Sequence, residues 1–122
     1  MTRFSILAAG FILAAGSAFA GTAVVETSEA GYLTDGAGMT LYSFDKDSDG
    51  TSNCYDGCAA KWPPLVVEGE ATLPEGFALT ERKDGSQQVS YMNQPLYLWV
   101  GDKAAGQTSG DGVGGVWHIV KP

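Results

Sequence analysis

Three groups of residues in this sequence are of types that can carry chemistry. The loop Asp45-Lys46-Asp47-Ser48-Asp49-Gly50 places three carboxylates within five residues. Two cysteines, Cys54 and Cys58, follow this loop, and the only histidine, His118, lies near the end of the chain. These residue types suggest three kinds of site: a calcium loop, a disulfide or redox pair, and a soft-metal centre.

The aspartate-rich loop matches the D-x-D-x-D-G start of a calcium-binding loop. Position twelve of such a loop, which is usually a bidentate glutamate, falls on an aspartate, and no flanking helices are predicted. A solvated turn is therefore the favoured interpretation, and a weak calcium-binding domain is an alternative. The residues that would hold calcium are Asp45, Asp47, Asp49, Thr51 and Asp56.

The cysteines have the spacing C-x3-C, and we predict that they form a disulfide. A bond between Cys54 and Cys58 closes a five-residue loop, which is worth about 2 kcal/mol in the chain-entropy model. A redox dithiol is the alternative, but thioredoxin-like sites use C-x-x-C on a βαβ frame, and neither feature is present.

A copper site is a further alternative, because thioether and imidazole groups suit Cu(I). Its ligands would be Met39, Met92, His118 and a cysteine thiolate, although nothing in their spacing brings them together. The chain has no G-x-S-x-G and no H-E-x-x-H motif, and the single histidine has no assignable partner. The sequence therefore does not predict an enzyme.

The first twenty residues have the features of a signal peptide. Arg3 is followed by the apolar run Phe4–Gly16, and Ala18-Phe19-Ala20 fits an A-x-A cleavage site before Gly21. Cleavage after Ala20 would leave one exported domain, residues 21–122, in the periplasm or outside the cell. Six basic and 14 acidic side chains would remain, a net charge of −8, which disfavours nucleic acid and membranes as partners. A protein or a small ligand of unknown identity is the expected partner.

The sequence repeats itself at an offset of 55 residues, which indicates an internal duplication. Apart from Phe44, which falls on Trp99, the matched residues are identical. The identical pairs are Leu41 and Leu96, Tyr42 and Tyr97, Asp47 and Asp102, Asp56 and Asp111, Gly57 and Gly112, and Trp62 and Trp117.

The elements between these residues are short. Alternating apolar runs joined by turns at Asp35-Gly36 and Asn93-Gln94 predict hairpins. Trp62-Pro63-Pro64 must end a short helix near 57–62. We therefore predict a mainly β domain, a small antiparallel barrel or sandwich, built from two repeats of about 30–67 and 78–122. Within each repeat, Tyr42 and Phe44, and likewise Tyr97 and Trp99, should share one face of a strand.

Tyr42-Ser43-Phe44-x-x-Asp47 and Tyr97-Leu98-Trp99-x-x-Asp102 resemble the Y-x-[FWY]-x-x-D signature of the "secreted repeat of unknown function" family. That family consists largely of predicted bacterial lipoproteins that carry such repeats in pairs. The resemblance implies the paired architecture, and it implies no chemistry, because the family has no settled activity. No lipid-attachment cysteine stands at the cleavage point, so membrane tethering does not carry over.

Two roles are open for the repeated motif. The aspartates could accept hydrogen bonds from loop N–H groups and hold the turn, or the aromatic face could bind a ligand. The first is favoured because it needs no ligand and accounts for both copies. We thus expect an exported, non-catalytic β domain that binds a partner or supports an envelope assembly.

Overall fold

The computed structural model of this chain describes residues 24–68 and 72–122, so the predicted signal peptide and its cleavage site lie outside the described residues. The described residues form short antiparallel strands, one α-helix and one 3₁₀ turn, as the mainly β prediction requires. The strands are β1 (Val25–Thr27), β2 (Leu33–Asp35), β3 (Tyr42–Phe44), β4 (Val66–Val67), β5 (Phe77–Glu81), β6 (Gln87–Tyr91), β7 (Gln94–Pro95) and β8 (Trp117–Ile119). The helix α1 is Gly57–Lys61, and the 3₁₀ turn is Val113–Gly115.

The strands form three small antiparallel sheets. β1 pairs with β2, and β3 pairs with β8. β6 is the centre of the third sheet, with β5 on one side and both β4 and β7 on the other. Across the described residues these sheets do not close into a barrel, and their packing is consistent with a sandwich.

The helix begins and ends where the sequence requires. Asp56 enters it with a positive φ of 55°, and the Trp62 N–H donates to the carbonyl of Cys58 at its end. Trp62 cannot continue the helix because a residue before proline is pushed out of the α region. The short helix predicted near 57–62 is therefore confirmed.

One hairpin turn lies one residue earlier than the sequence indicates. We predicted a turn at Asn93-Gln94, whereas the structure pairs Tyr91 with Gln94 and places Met92 and Asn93 in the turn. Both turn residues have positive φ, 49° and 68°. A two-residue turn of the I′ type matches the twist of its strands but needs positive φ at both positions. Asn93 tolerates a positive φ, whereas Met92 adopts one because the pairing of β6 with β7 places it in the turn.

The two repeats exchange their last strands. β8, from the second repeat, pairs with β3 of the first, while β4, from the first repeat, pairs with β6 of the second. The backbone forms two equivalent closed cycles, each of three hydrogen bonds between residues of both repeats. In one cycle the N–H groups of Leu33, Val120 and Leu41 donate to the carbonyls of Val120, Leu41 and Leu33, respectively. In the other, Val89, Leu65 and Leu96 donate to Leu65, Leu96 and Val89.

The core has two parts with different chemistry. The residues of these two cycles, together with Val25, form a buried aliphatic cluster. The second part is aromatic and contains Tyr42, Trp62, Tyr97, Trp117 and the buried Cys54. Both parts contain residues of both repeats, so neither repeat has a hydrophobic core of its own.

Candidate binding groove

The tyrosines and aspartates of the repeated motif pair between the repeats. The Tyr42 hydroxyl donates to Oδ2 of Asp102 at 2.6 Å, and the Tyr97 hydroxyl donates to Oδ2 of Asp47 at 2.7 Å. The other carboxylate oxygen of each aspartate accepts a loop N–H, from Asn53 to Asp47 and from Ser109 to Asp102. Each aspartate therefore holds its own loop and anchors that loop to the other repeat.

Burial raises the pKa values of these groups. It raises the pKa of Tyr42 and of Tyr97 well above that of an exposed tyrosine, and the adjacent carboxylates add to the increase. Burial also raises the pKa of Asp47, partly offset by its hydrogen bonds from Tyr97 and Asn53. A phenol that stays protonated keeps donating its hydrogen bond to the facing carboxylate, which fits a structural role for these pairs.

The motif aromatics form a continuous aromatic stack, defined here as Trp99, Trp62, Trp117 and Phe44 in that spatial order. Ring centroids are 4.1, 3.8 and 4.1 Å apart along it, and the central pair, Trp62 and Trp117, is parallel within 2°. Because Phe44 corresponds to Trp99, the local two-fold symmetry of the duplication passes between the central rings. Tyr42 and Tyr97 pack edge-on against the two tryptophans. Trp62 and Trp117 are buried, whereas Phe44 and Trp99 at the two ends are half-buried, so only the ends of the stack offer surface to a ligand.

Cys54 and Cys58 form the predicted disulfide, with Cα atoms 5.2 Å apart. A buried arginine, which sequence reasoning missed, lies beside it. Arg82 donates to the carbonyl of Cys54, to Oγ of Ser52 and to Oε1 of Gln88, at 2.7 to 3.0 Å. Ser52 also lies 2.6 Å from the Tyr97 hydroxyl. Arg82 thus joins the disulfide loop to β6; its repeat counterpart is Thr27, so no repeat signal reveals it.

The residues proposed for calcium do not converge. Asp47 is engaged by Tyr97, Asp45 contacts His118, and Asp49 lies at a turn with φ of 49°. A bridge between Ser48 and Thr51 closes that turn, which places Asp49 and Gly50 at its tip. Among the described residues there is no cluster of three or more His, Cys, Asp or Glu side chains that could hold a metal ion.

The copper ligands are likewise not assembled as a set. The disulfide removes both thiolates. Met92 and His118 line the same groove, whereas Met39 does not line it. The Met92 sulfur lies against Gly76, where a Cβ atom would be only 3.5 Å from it.

His118 has a partner that the sequence did not reveal. Its Nε2 lies 2.9 Å from Oδ2 of Asp45, and both side chains are about half exposed, at 45% and 52%. The pair forms because β3 and β8 place His118 directly opposite Ser43, with Asp45 two residues further along the same face. Ser43 is 7% exposed, and its hydroxyl makes no hydrogen bond with another described residue.

These three side chains line the His118 groove, an open cavity of about 570 Å³ at the surface. Its remaining wall combines an amine, an amide and apolar groups, namely Tyr91, Met92, Gln94, Ile119, Val120, Lys121 and Pro122. A second, smaller cavity of about 180 Å³ shares Tyr91 and Pro122 with it and is lined by Val25, Leu33, Pro74 and Phe77, among others.

The symmetry of the duplication shows that the polar residues of the groove belong to one face only. At an offset of 55, Ser43, Asp45 and His118 correspond to Leu98, Val100 and Pro63. The equivalent face is therefore wholly apolar at these positions. On that face the backbone still pairs, through the Tyr97–Pro64 bridge and the Leu98 N–H that donates to the Pro63 carbonyl. The fold therefore does not require the polar side chains of the groove. The difference between copies was a signal in the sequence that could have paired Asp45 with His118.

Comparison with known proteins agrees with this architecture. The chain matches a family described as a secreted repeat of unknown function twice, over residues 23–66 and 78–121. No curated protein and no solved structure shows significant similarity to it. No helix among residues 24–68 and 72–122 is long and apolar enough to cross a membrane. The chain belongs to the family of secreted repeats of unknown function.

Proposed function

We propose that this protein is an exported, non-catalytic binding domain whose ligand site is the His118 groove. The main support for this proposal is that the two equivalent faces differ. The groove face is polar at Ser43, Asp45 and His118. The other face has Leu98, Val100 and Pro63 at the corresponding positions. A buried hydroxyl without a partner costs free energy unless something hydrogen-bonds to it. Ser43 lines the open groove, where water or a ligand can supply that hydrogen bond, so its hydroxyl offers a ligand one polar contact.

The charge of the site favours a small cationic ligand. Asp45 presents a half-exposed carboxylate to the groove, and the whole chain has a net charge of −7. Such a protein attracts cations and repels phosphates and anionic lipids. Lys121 lies at the groove as well, so the ligand must combine a positive group for Asp45 with an acceptor that Lys121 can reach. The apolar wall would contact its hydrocarbon part.

Binding fits this geometry better than acyl transfer does. Ser43, His118 and Asp45 are the residue types of a catalytic triad, but a nucleophile must hydrogen-bond to its base. His118 directs Nε2 to Asp45, and no hydrogen bond joins Ser43 to it among the described residues. We therefore expect no ester hydrolysis that depends on His118.

The test is titration of the mature protein with a panel of small amines and amino acids, followed by ¹H–¹⁵N NMR. Shifts should concentrate at Ser43, Asp45 and His118, and Asp45→Asn should weaken binding at least tenfold. Gln87→Ala is the matched control, because Gln87 lines a separate cavity of about 420 Å³. Equal affinity in both variants, or shifts confined to the other cavity, would refute the proposal.

A transition metal in the same groove is the second candidate, favoured by the His118–Asp45 pair. Two ligand atoms about 2.0–2.1 Å from one ion and at right angles to each other lie about 2.9 Å apart. His118 Nε2 and Asp45 Oδ2 are 2.9 Å apart, which fits a shared ion as well as an ordinary hydrogen bond. The other ligands of such an ion would have to be water, because the described residues form no cluster of three His, Cys, Asp or Glu side chains. Metal analysis and an absorption spectrum under oxidising and reducing conditions distinguish the candidates. Stoichiometric copper that His118→Ala abolishes would replace the small cation as the ligand.

The predicted export is tested by the mass of the mature protein. We expect the secreted form to begin at Gly21 and to resist alkylation without reductant, because Cys54 and Cys58 are bonded. A retained leader, or two thiols alkylated without reductant, would contradict the prediction.

A further inference from the structure

The contacts that complete each half of this fold come from the other repeat. β3 of the first repeat pairs with β8 of the second, and β6 of the second pairs with β4 of the first. Each of the two backbone hydrogen-bond cycles also contains residues of both repeats. A single repeat therefore lacks the strand that would close its own sheet.

The side chains of the repeated motif make the same exchange. Tyr42 is held by Asp102, Tyr97 by Asp47, and the stacked pair Trp62–Trp117 has one ring from each repeat. The tyrosine and aspartate of one copy of the motif thus bind the other copy of the motif, not each other. The folded unit is a pair of repeats, and these contacts do not require both repeats to be in one chain.

The covalent link between the two repeats of one chain is the segment between β4 and β5. Nine residues, 68–76, separate Val67 from Phe77. The Pro74–Phe77 turn and the Gly76 carbonyl, which accepts the Met92 N–H, hold the end of this segment to the second repeat. About six residues are left to extend, and they span up to about 20 Å. Exchange of identical elements between protomers loses few contacts, because each contact is remade with the second chain.

We propose that two copies of this chain exchange repeats, so that the first repeat of each chain folds with the second repeat of the other. The partner is a second copy of this chain, and the result is a dimer of two complete units. The His118 groove is then shared, since Ser43 and Asp45 come from one chain and His118 from its partner. This inference does not depend on the proposed ligand.

The two arrangements differ in entropy rather than in contacts. A connection of this length gives the two repeats of one chain an effective concentration of about millimolar, which favours the closed monomer in dilute solution. The exchanged dimer should therefore form when the protein folds at high concentration. A dimer formed in this way should persist after dilution, because its release requires unfolding.

Cysteine pairs placed across strands test the exchange in full-length protein. Val67 and Gln87 are register partners from different repeats, and Glu81 and Gln87 are register partners within the second repeat. Opposed Cα atoms in antiparallel pairs are about 4.5–5.5 Å apart, within the range a disulfide permits. Chains carrying Val67→Cys and Gln87→Cys are mixed in denaturant, refolded at increasing concentration and mildly oxidised. The matched control mixes Glu81→Cys and Gln87→Cys chains.

We expect covalent heterodimers from the first mixture, increasing with refolding concentration and at least fivefold more abundant than in the control. The control cannot form this bond by exchange, because residues 81 and 87 stay in one repeat. Light scattering of refolded wild-type protein measures the same dimer without any substitution. Equal heterodimer yields in both mixtures, or a wild-type mass that stays monomeric up to millimolar refolding concentration, would overturn the proposal.

Discussion

At the scale of single residues, the repeated motif of this chain is a contact between repeats. Tyr42 and Tyr97 are fully buried, and each donates to an aspartate of the opposite copy. A hydrogen bond to a charged group contributes about 1.5–3 kcal/mol, and its loss leaves the partner carboxylate, buried at Asp102 and half-buried at Asp47, short of a donor. In this chain the Y-x-[FWY]-x-x-D spacing thus places each tyrosine where the backbone pairs with the other repeat. Each aspartate lies in the following loop and binds the tyrosine of the other copy.

We predict that these tyrosines make the protein unstable in alkali. Their folded-state pKa is raised, so they remain protonated when tyrosines of the unfolded chain ionise near pH 10. The unfolded state then binds fewer protons, and the free energy of unfolding falls as the pH rises above about 10. The slope is about 1.4 kcal/mol per pH unit for each tyrosine.

Urea unfolding of wild type, Tyr42→Phe and Tyr97→Phe between pH 8 and about 11 measures this effect. Each variant should be less stable than wild type at pH 8 by about 1.5–3 kcal/mol. Each should also have a shallower alkaline slope, and the double variant the shallowest. Parallel curves for all four proteins would show that the phenols do not cause the alkaline loss.

At the scale of elements, much of the fold could be predicted from the sequence. The Asp35-Gly36 turn, the helix ended by Trp62-Pro63 and the face shared by Tyr42 and Phe44 depend on local backbone preferences and on strand periodicity. The exchange of β4 and β8 depends instead on which strands pair, and that is decided by contacts distant in sequence. The partners of Arg82 were hidden for the same reason, whereas Asp45 and His118, which have no counterparts in the other copy, could have been paired from that difference.

One glycine shows why the loop after Trp99 contains small residues. A Cβ atom at Gly110 would lie 2.8 Å from Trp62 and 2.9 Å from Tyr42, and the Gly110 N–H donates to the Tyr42 hydroxyl. We predict that Gly110→Ala lowers the free energy of unfolding by about 1–3 kcal/mol, the cost of overpacking. Gly57→Ala is the control, since its Cβ would meet nothing within 4 Å in a helix. Equal urea midpoints for the two variants would contradict the packing argument.

The conformation of the aspartate-rich loop keeps its three carboxylates apart. Asp45 and Asp47 are turned towards His118 and Tyr97, and a tight turn separates Asp49 from them. We predict that excess calcium and chelator give the same melting temperature, with Asp49→Ala as a third measurement. A calcium-dependent rise in wild type that disappears in Asp49→Ala would restore the calcium site.

At the scale of the whole molecule, the exchange of strands makes the two repeats one cooperative unit. Leu41 and Leu96 are equivalent, are fully buried, and each belongs to a hydrogen-bond cycle that includes the other repeat. The aromatic stack joins the repeats a second time through Trp62 and Trp117. If one repeat unfolds, the other loses its closing strand, its tyrosine partner and half of the stack. A half-folded intermediate should therefore not accumulate.

We predict a single unfolding transition that substitutions in either repeat shift as a whole. Leu41→Ala and Leu96→Ala should each lower the free energy of unfolding by about 2–5 kcal/mol, as large-to-small changes in a packed core do. Far-ultraviolet circular dichroism reports the strands, and tryptophan fluorescence reports the aromatic stack. Their transitions should coincide in both variants, because both signals depend on the same association of repeats. If Leu41→Ala separated the two signals while Leu96→Ala did not, the repeats would unfold independently and the exchanged strands would not couple them.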